Sequence, residues 1–347
     1  MEDRFTSSSR RPAEFSPSQQ NQDFPEIAEL GILRGRRDFM AEISPTPTTP
    51  PASAPKPVPA ACPICTAVVP RRYSEFAGHP IWVCRICGTQ FVYPQPTDAE
   101  LGAIYHENYS LGQNTPEETA RTAALKQGTA KIYFDALEKA GVKPPGDLLE
   151  LGCGSGDFLY EGRERGWKVA GLEYATAAAA KANARLGEDL VRVGELADLA
   201  EQSGVTDLIA SSDVIEHVRD PLEYARDMFR LLRPGGAAFV ATITLDSWSA
   251  KVLGRRWMEY KLEHLTYFTD RSLKVTLEQA GFKIRTITPN PKLLSVEYIA
   301  QHFERYAVPG VSPLVAAGGA AAQALGIAQR PFKIVASGVL AVAVKPS

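Results

Sequence analysis

Three groups of residues in this chain have types and spacings that could do chemistry. The first is the run Glu150-Leu-Gly152-Cys-Gly154-Ser-Gly156, which follows the apolar pair Leu148-Leu149. Glycine at every second position lets a strand turn sharply into a helix and leaves backbone N–H groups bare, so a polar ligand can lie against the peptide itself. The spacing is not that of a dinucleotide loop, because Asp157 stands where G-x-G-x-x-G needs its last glycine, and no Gly-Lys-Ser/Thr follows to make a phosphate loop. The second group is a pair of histidine segments, Asp213-Val-Ile-Glu216-His217-Val-Arg-Asp-Pro221 and Tyr260-Lys-Leu-Glu263-His264-Leu-Thr-Tyr267-Phe268. Histidine titrates near neutrality and can take a proton from a bound molecule. A neighbouring carboxylate, Glu263 or Glu216, can orient the ring and favour its protonated form. Each histidine can equally be a hydrogen-bonded loop residue that packs helix against sheet.

The third group is cysteine. Four of the five lie in Cys62-Pro-Ile-Cys65 and Cys84-Arg-Ile-Cys87-Gly88, separated by eighteen residues. Two tight knuckles at that spacing bring four thiolates to one tetrahedral ion, the pattern of a structural zinc ribbon with no open coordination position. A redox CxxC would normally occur once, at the start of a helix, and the remaining alternative is a pair of reduced surface dithiols. The fifth, Cys153, reads as a small residue inside the glycine loop.

These groups must be held by ordered elements, and the hydrophobic pattern supplies them. Strands are expected at Asp147 to Leu151, Trp167 to Glu173, Leu190 to Val193, Thr206 to Ser211, Ala237 to Ile243, Phe282 to Thr288 and Val339 to Val344, with helices between. Alternation at this spacing predicts an α/β fold: a mainly parallel, seven-stranded, Rossmann-like sheet with helices on both faces. In such sheets ligands bind beyond the carboxyl ends of the strands. Glu173 closes the second strand beside the glycine loop, where its carboxylate can accept both hydroxyls of a nucleoside ribose. Tyr174 could cover one face of the base, and Glu195-Leu196, after the third strand, could border it. Asp213, after the fourth strand, is assigned to the same cofactor pocket with Glu150, Gly152, Gly154 and Gly156. The plainer alternative makes Glu173 a solvated strand end and Tyr174 a core residue.

Composition sets the outer limits. Residues 1–60 are rich in Ser, Pro, Thr and Gln, which predicts a disordered segment and linker; a short helix from Phe24 to Met40 and a shorter product starting at Met40 are expected within it. Residues 61–95 read as the zinc ribbon and 96–347 as the main α/β domain. Thr97-Asp-Ala-Glu100 is a capping box that opens a helix through Tyr105 toward Tyr109, and a longer helix runs from about Pro116 to Ala140. The net charge of -2 gives no global electrostatic case for nucleic acid. Val311 to Ala328 is the closest approach to a membrane span, but Pro313, two adjacent glycines and Gln323 interrupt it. With no secretory signal at the start, a cytoplasmic location is expected.

From Cys62 to about Phe282 the chain resembles the zinc-ribbon group of class I S-adenosylmethionine (SAM) methyltransferases. The resemblance rests on CPIC, CRICG, FVYPQPTDAELGAIYHENY, ELGCGSG, DVIEHVRDP, LLRPGG, GRRWMEYKLEHLTYFT and LEQAGF. It implies SAM as cofactor, a structural zinc, and a small-molecule acceptor of the sugar or sugar-nucleotide type from envelope or metabolite biosynthesis. In sugar C-methyltransferases of this group a Tyr-x-Glu-His segment is thought to supply the base, which implies catalytic roles for His264, Glu263 and His217, with Tyr105 or Tyr109 as a further contributor. The sequence departs from that pattern at Lys261, where the segment's tyrosine would stand, and in having only about sixty residues after the sixth strand. Two other readings are an RNA methyltransferase that uses the ribbon for substrate and a SAM-fold protein that binds without catalysis.

Overall fold

The computed structural model describes residues 58–68, 70–106 and 115–347. The N-terminal segment with its expected helix, Met40 and Tyr109 lie outside the described residues. Three antiparallel strands open the fold: β1 (Pro70–Phe76), β2 (His79–Cys84) and β3 (Gln90–Val92). Helix α1 (Asp98–His106) starts as the sequence requires, with the Thr97 N–H and hydroxyl both donating to Glu100 at 2.7 Å. Helix α2 (Pro116–Lys139) is capped by the Thr115 hydroxyl, which accepts from the Glu118 N–H.

The alternating core then follows. It runs β4 (Asp147–Leu151), α3 (Asp157–Glu164), β5 (Lys168–Glu173), α4 (Thr176–Leu186), β6 (Val191–Val193), β7 (Thr206–Ser212), α5 (Pro221–Leu231) and β8 (Leu232–Ile243). After β8 come α6 (Trp248–Leu253), β9 (Thr266–Tyr267), α7 (Asp270–Gln279) and β10 (Lys283–Pro289). A small cover of β11 (Lys292–Leu294), α8 (Val296–Arg305), α9 (Ser312–Ala324) and β12 (Phe332–Ile334) precedes the last strand, β13 (Gly338–Val344).

The main sheet has the order β10-β13-β8-β7-β4-β5-β6. β8, β7, β4, β5 and β6 are parallel neighbours, and β13 runs antiparallel between β8 and β10. This is the seven-stranded Rossmann-like sheet expected from the sequence, with strand ends displaced by no more than a residue except at β8, which already begins at Leu232. Central strands are apolar on both faces because both are covered: every residue of β8 from Gly236 through Ile243 is buried. One face packs Phe134, Phe158, Leu159 and Phe239 under α2 and α3; the other packs Met228, Leu231, Leu273 and Leu277 from α5 and α7. The order turns at β4, with β5 to one side and β7 to the other, so a crevice opens beyond the carboxyl end of β4.

The first three strands do not form a sheet of their own. β9 extends it to a fourth strand, Gln90 opposite Tyr267 and Phe91 opposite Thr266. Beneath this joint Ile81 and Val92 share a core with Ile243, Trp257, Tyr260 and Tyr267. The 61–95 segment and the main domain are therefore sewn together, although the sequence suggested a separate module.

The crevice depends on tight packing below it. A Cβ on Gly171 in β5 would stand 2.8 Å from Leu159 Cδ1 and 2.9 Å from both Cys153 Sγ and Val191 Cγ2. Gly171→Ala should therefore overpack the floor of the loop and cost about 1–3 kcal/mol of stability, read as a lower denaturant midpoint at unchanged slope. A midpoint equal to that of the parent would show that the floor relaxes freely.

Candidate active site

The glycine loop leaves β4 with Gly152, Gly154 and Gly156 at φ +68°, +53° and +72°. The first and last face close neighbours: an added Cβ would lie 2.5 Å from Val214 Cγ2 at Gly152 and 3.0 Å from Ala182 Cβ at Gly156. At Gly154 the same test meets nothing within 4 Å. The middle of the loop thus borders open space, a cradle that a side chain would fill. Glu173 reaches it from the end of β5, accepting from the Gly154 N–H at 2.8 Å and the Ala175 N–H at 2.9 Å. These two bonds leave lone pairs on both carboxylate oxygens. Below, Glu150 is buried, its Oε2 has no hydrogen-bond partner among the described residues, and burial, with Asp157 and Glu173 nearby, holds its pKa well above the usual carboxylate range. A cationic donor brought into the cradle would satisfy that atom.

The remaining residues of the expected pocket follow the ends of β5, β6 and β7. Tyr174 is exposed beside Glu173. Glu195 is exposed, with its N–H held by the Asp198 carboxylate at 2.8 Å, and Leu196 is half-buried against the core. Asp213 follows β7 in the left-handed region at φ +56° and accepts from Lys292 Nζ at 2.6 Å. Lys292, on β11, has no local sequence signature, and the sequence alone did not mark it.

Two loops meet on the other side of Asp213. The Glu216 carbonyl accepts from the Leu265 N–H at 2.8 Å and the Thr266 N–H at 3.1 Å, which brings the His217 and His264 rings edge to face at 4.7 Å. His264 is buried, and its Nδ1 lies 2.8 Å from the Glu259 carbonyl. A carbonyl only accepts, so Nδ1 carries the proton and Nε2 keeps a lone pair. The sequence pointed to the Glu263 carboxylate for this orienting role; the partner at Nδ1 is instead the main chain of Glu259. Burial, then His217 and Lys261, hold the His264 pKa well below the usual imidazole range, and burial lowers His217 to about 4. Both rings are neutral at pH 7.

The carboxylates behind them differ. Glu216 is buried, accepts from the Thr242 hydroxyl at 2.8 Å, and is pushed up to about 8 by burial and by Asp213. Glu263 is buried in the loop that carries His264. Glu259 pairs with Lys261 at 3.1 Å and accepts from Ser337 at 3.0 Å. Tyr105 lies in α1, remote in sequence from both loops.

The cysteines converge as their spacing requires. Cys62 and Cys87 place their sulfurs 3.6 Å apart, Cys65 and Cys84 3.5 Å, and all four lie within 4.8 Å of one another. Around a tetrahedral ion bound at about 2.3 Å, neighbouring sulfurs are about 3.8 Å apart. Each knuckle directs a backbone N–H at its first sulfur, Ile64 to Cys62 and Ile86 to Cys84, both at 3.4 Å. The turns that close them are left-handed, at Thr66 (φ 57°) and Gly88 (φ 80°). The segment that leaves this cluster, Cys87 to Pro96, touches both histidine loops and the start of α7. The Thr269 hydroxyl donates to the Cys87 carbonyl at 2.9 Å, the Val92 N–H to the Leu265 carbonyl at 2.9 Å, and the Tyr260 hydroxyl to Gln90 at 2.6 Å. Arg219, two residues past His217, donates to Gln95 and to the Pro96 carbonyl.

Comparison with known proteins matches residues 125–287 to a methyltransferase domain. A ubiquinone biosynthesis O-methyltransferase of Pseudomonas aeruginosa is 33% identical over 169 residues, covering 44% of this chain and 72% of that protein. The chain belongs to the SAM-dependent methyltransferases. A probable S-adenosylmethionine-dependent methyltransferase of Mycolicibacterium smegmatis is also 33% identical, over 141 residues that make up 40% of this chain. This chain spans about half the length of that relative, 52%. A methyltransferase structure from Bacillus halodurans aligns with 62% of this chain and all of its own, at 15% identity and a TM-score of 0.47.

SAM carries an α-ammonium and a ribose diol, and this methyltransferase offers groups that fit both: the unpartnered Glu150 oxygen and the Glu173 carboxylate at the open Gly154. The matched region excludes the cysteine knuckles and the cover from β11 to β12. Two outcomes follow. Glu173→Ala should weaken SAM binding by about 1–3 kcal/mol through lost charge-assisted hydrogen bonds, and Gly154→Val should abolish it, since the side chain would fill the cradle at a left-handed position; calorimetry giving parental affinity for both would remove the assignment. Cys84→Ser should raise amide exchange in β1–β3 and also in residues 260–267, while β4–β6 keep their protection. Exchange confined to the first three strands would show that the β3–β9 joint carries no coupling.

Proposed function

We propose that this protein transfers the methyl group of SAM to a small-molecule acceptor held over the carboxyl ends of β7 and β8, and that His264 removes the acceptor's proton. Bound SAM supplies an electrophilic methyl carbon. Catalysis by the chain is then a matter of placing the acceptor in line and taking its proton. The observation that carries this reading is the tautomer of His264: its Nδ1–H is committed to the Glu259 carbonyl, so Nε2 keeps its lone pair on a ring held edge to face with His217. A neutral, buried imidazole with one nitrogen anchored is ready to accept a proton without first losing one.

His217 stands as the second titratable ring and Glu263 as the carboxylate that stabilises the charged ring after transfer. Glu150, Gly152, Gly154, Gly156, Glu173, Tyr174, Glu195, Leu196 and Asp213 are proposed to surround SAM. Cys62, Cys65, Cys84 and Cys87 are proposed to hold one structural zinc, which would stiffen the strands that carry both histidine loops. The cytoplasm is the proposed compartment.

The acceptor class we propose is a sugar or sugar nucleotide. The motif resemblance to sugar C-methyltransferases supports it, as does the polar group of Asp213, Lys292, Asn290 and Tyr133, in which the Asn290 amide and the Tyr133 hydroxyl have no hydrogen-bond partner among the described residues. Relatives named for ubiquinone biosynthesis and for norajmaline N-methylation act on small molecules, which supports a small-molecule acceptor and not RNA.

The test is release of S-adenosylhomocysteine from SAM across a panel of sugar nucleotides, with the methylated carbon or oxygen assigned by labelled methyl transfer. With an accepted substrate, His264→Ala should lower turnover by roughly two to four orders of magnitude while leaving SAM affinity intact. The acid limb of the pH–rate profile should lie below the usual imidazole range, because burial, His217 and Lys261 all depress His264. Lys261→Met removes a nearby cation and leaves Glu259 unpaired, and both changes raise the histidine pKa, so the limb should move to higher pH. Full turnover in His264→Ala would transfer the role to His217 or leave positioning alone.

A further inference from the structure

The cover between β10 and β13 presents a surface that the site chemistry does not use. Between Arg305 and Arg330 the sequence contains no Asp, Glu, Lys or Arg. Helix α9 lies in this stretch and approaches α8 closely at small residues: Ala322 is buried, and a Cβ on Gly319 would stand 3.2 Å from Ala300 Cβ. Facing outward are Leu314 and Leu325, each 73% exposed, followed along the chain by Ile327, Phe332 and Val335, all exposed. Trp248 joins this row, because its indole N–H donates to the Val335 carbonyl at 2.9 Å while the side chain stays 57% exposed. Val252, one turn further along α6, is exposed on the same side.

Single exposed apolar residues are ordinary; a continuous row of large ones beside a charge-free helix marks an interaction surface. Its rim is mainly cationic, with Asp246 and Glu304 the acidic residues that adjoin it in sequence. Lys251, Arg255 and Arg256 follow Trp248 with no carboxylate before Glu259, and Arg305, Arg330 and Lys333 bracket α9 with no acidic residue among them. These two segments meet at the Trp248–Val335 contact, in a chain whose net charge is -2. An apolar wedge, an indole at its border and a cationic rim match the layers of an anionic bilayer surface: acyl boundary, interface and phosphate. Among the described residues no helix is long and apolar enough to cross a membrane, so such a contact lies on the surface and does not span it.

We propose that α9, α6 and the strand end between them dock the protein peripherally on a membrane surface bearing anionic lipids. Leu314, Leu325, Phe332 and Trp248 enter the acyl boundary, and Lys251, Arg330 and Lys333 meet the phosphates. The docking is independent of which acceptor the site takes.

The experiment is co-sedimentation of the full chain with sucrose-loaded vesicles, either pure phosphatidylcholine or equal parts phosphatidylcholine and phosphatidylglycerol. Binding should favour the anionic vesicles and weaken with salt. The double variant Leu314→Glu with Leu325→Glu should lose at least roughly tenfold in partitioning. Arg330→Ala with Lys333→Ala should lose roughly fivefold per charge removed, on anionic vesicles alone. Both variants should keep parental SAM affinity by calorimetry, which separates lost docking from lost folding. Failure of the parent to sediment with either vesicle, or unchanged binding by the Leu314/Leu325 variant, overturns the proposal. So does an oligomer, seen by light scattering, that the two glutamates dissociate in a protein that binds no vesicle: the face would then belong to a second copy of the chain.

Discussion

One main-chain carbonyl, that of Glu216, organises the two histidine loops of this molecule. By accepting from two successive N–H groups, Leu265 and Thr266, it ties the loop after β7 to the loop before β9. Each loop carries a histidine, and neither loop has regular structure at that point to hold it. Without this tie the rings would be positioned only by chain segments of low intrinsic stability. The strand that follows, β9, is two residues long and has no independent means of staying in place. It persists because β3 supplies its partner, and β3 in turn leaves the second cysteine knuckle directly. The order at His264 is thus inherited from the cysteine cluster through a short antiparallel ladder.

Electrostatics explains why such a site holds charged residues so close to neutral rings. Lys261 and Lys292 each have a carboxylate within 3.1 Å, Glu259 and Asp213 respectively. Burial alone would drive both lysines toward neutrality; their carboxylate partners outweigh it and keep them cationic. Among the described residues neither histidine forms an ion pair with a carboxylate, and burial keeps both neutral. Two cations and two neutral rings therefore coexist in one partly buried space, each state set by its neighbours and not by its residue type.

The sheet was legible in the sequence because its cause is local. Ala237 to Ile243 must be a buried strand on composition, and Pro234-Gly-Gly before it and Asp213 after β7 punctuate the pattern. The glycine loop and the cysteine knuckles were legible for the same reason, since each carries its constraint within a few residues. What the sequence hid is long-range. Lys292 meets Asp213 across 79 positions, and Gln90 meets Tyr260 across 170. A two-residue strand such as β9 has no periodicity to detect. The Glu259 carbonyl could not be foreseen as the partner of His264 because every residue has a carbonyl, whereas Glu263, adjacent in sequence, was visible as a carboxylate. The ladder between β3 and β9 was hidden for the same reason, for it is assembled from segments far apart in the chain.

The neck of the cover has a consequence for divergence. β10 and β13 are adjacent antiparallel strands, and the Asn290 N–H donates to the Gly338 carbonyl at 2.9 Å where they part. Residues 291–337 therefore leave and rejoin the sheet at a single hydrogen-bonded point. Closing such an excursion costs only about 0.6 kcal/mol more for each doubling of its length. The excursion can lengthen, shrink or be replaced while the register of the sheet and the glycine loop stay as they are. The cover, which faces outward and brings Lys292 to Asp213, can change by insertion and deletion, whereas the parallel strands around the glycine loop can change only by substitution.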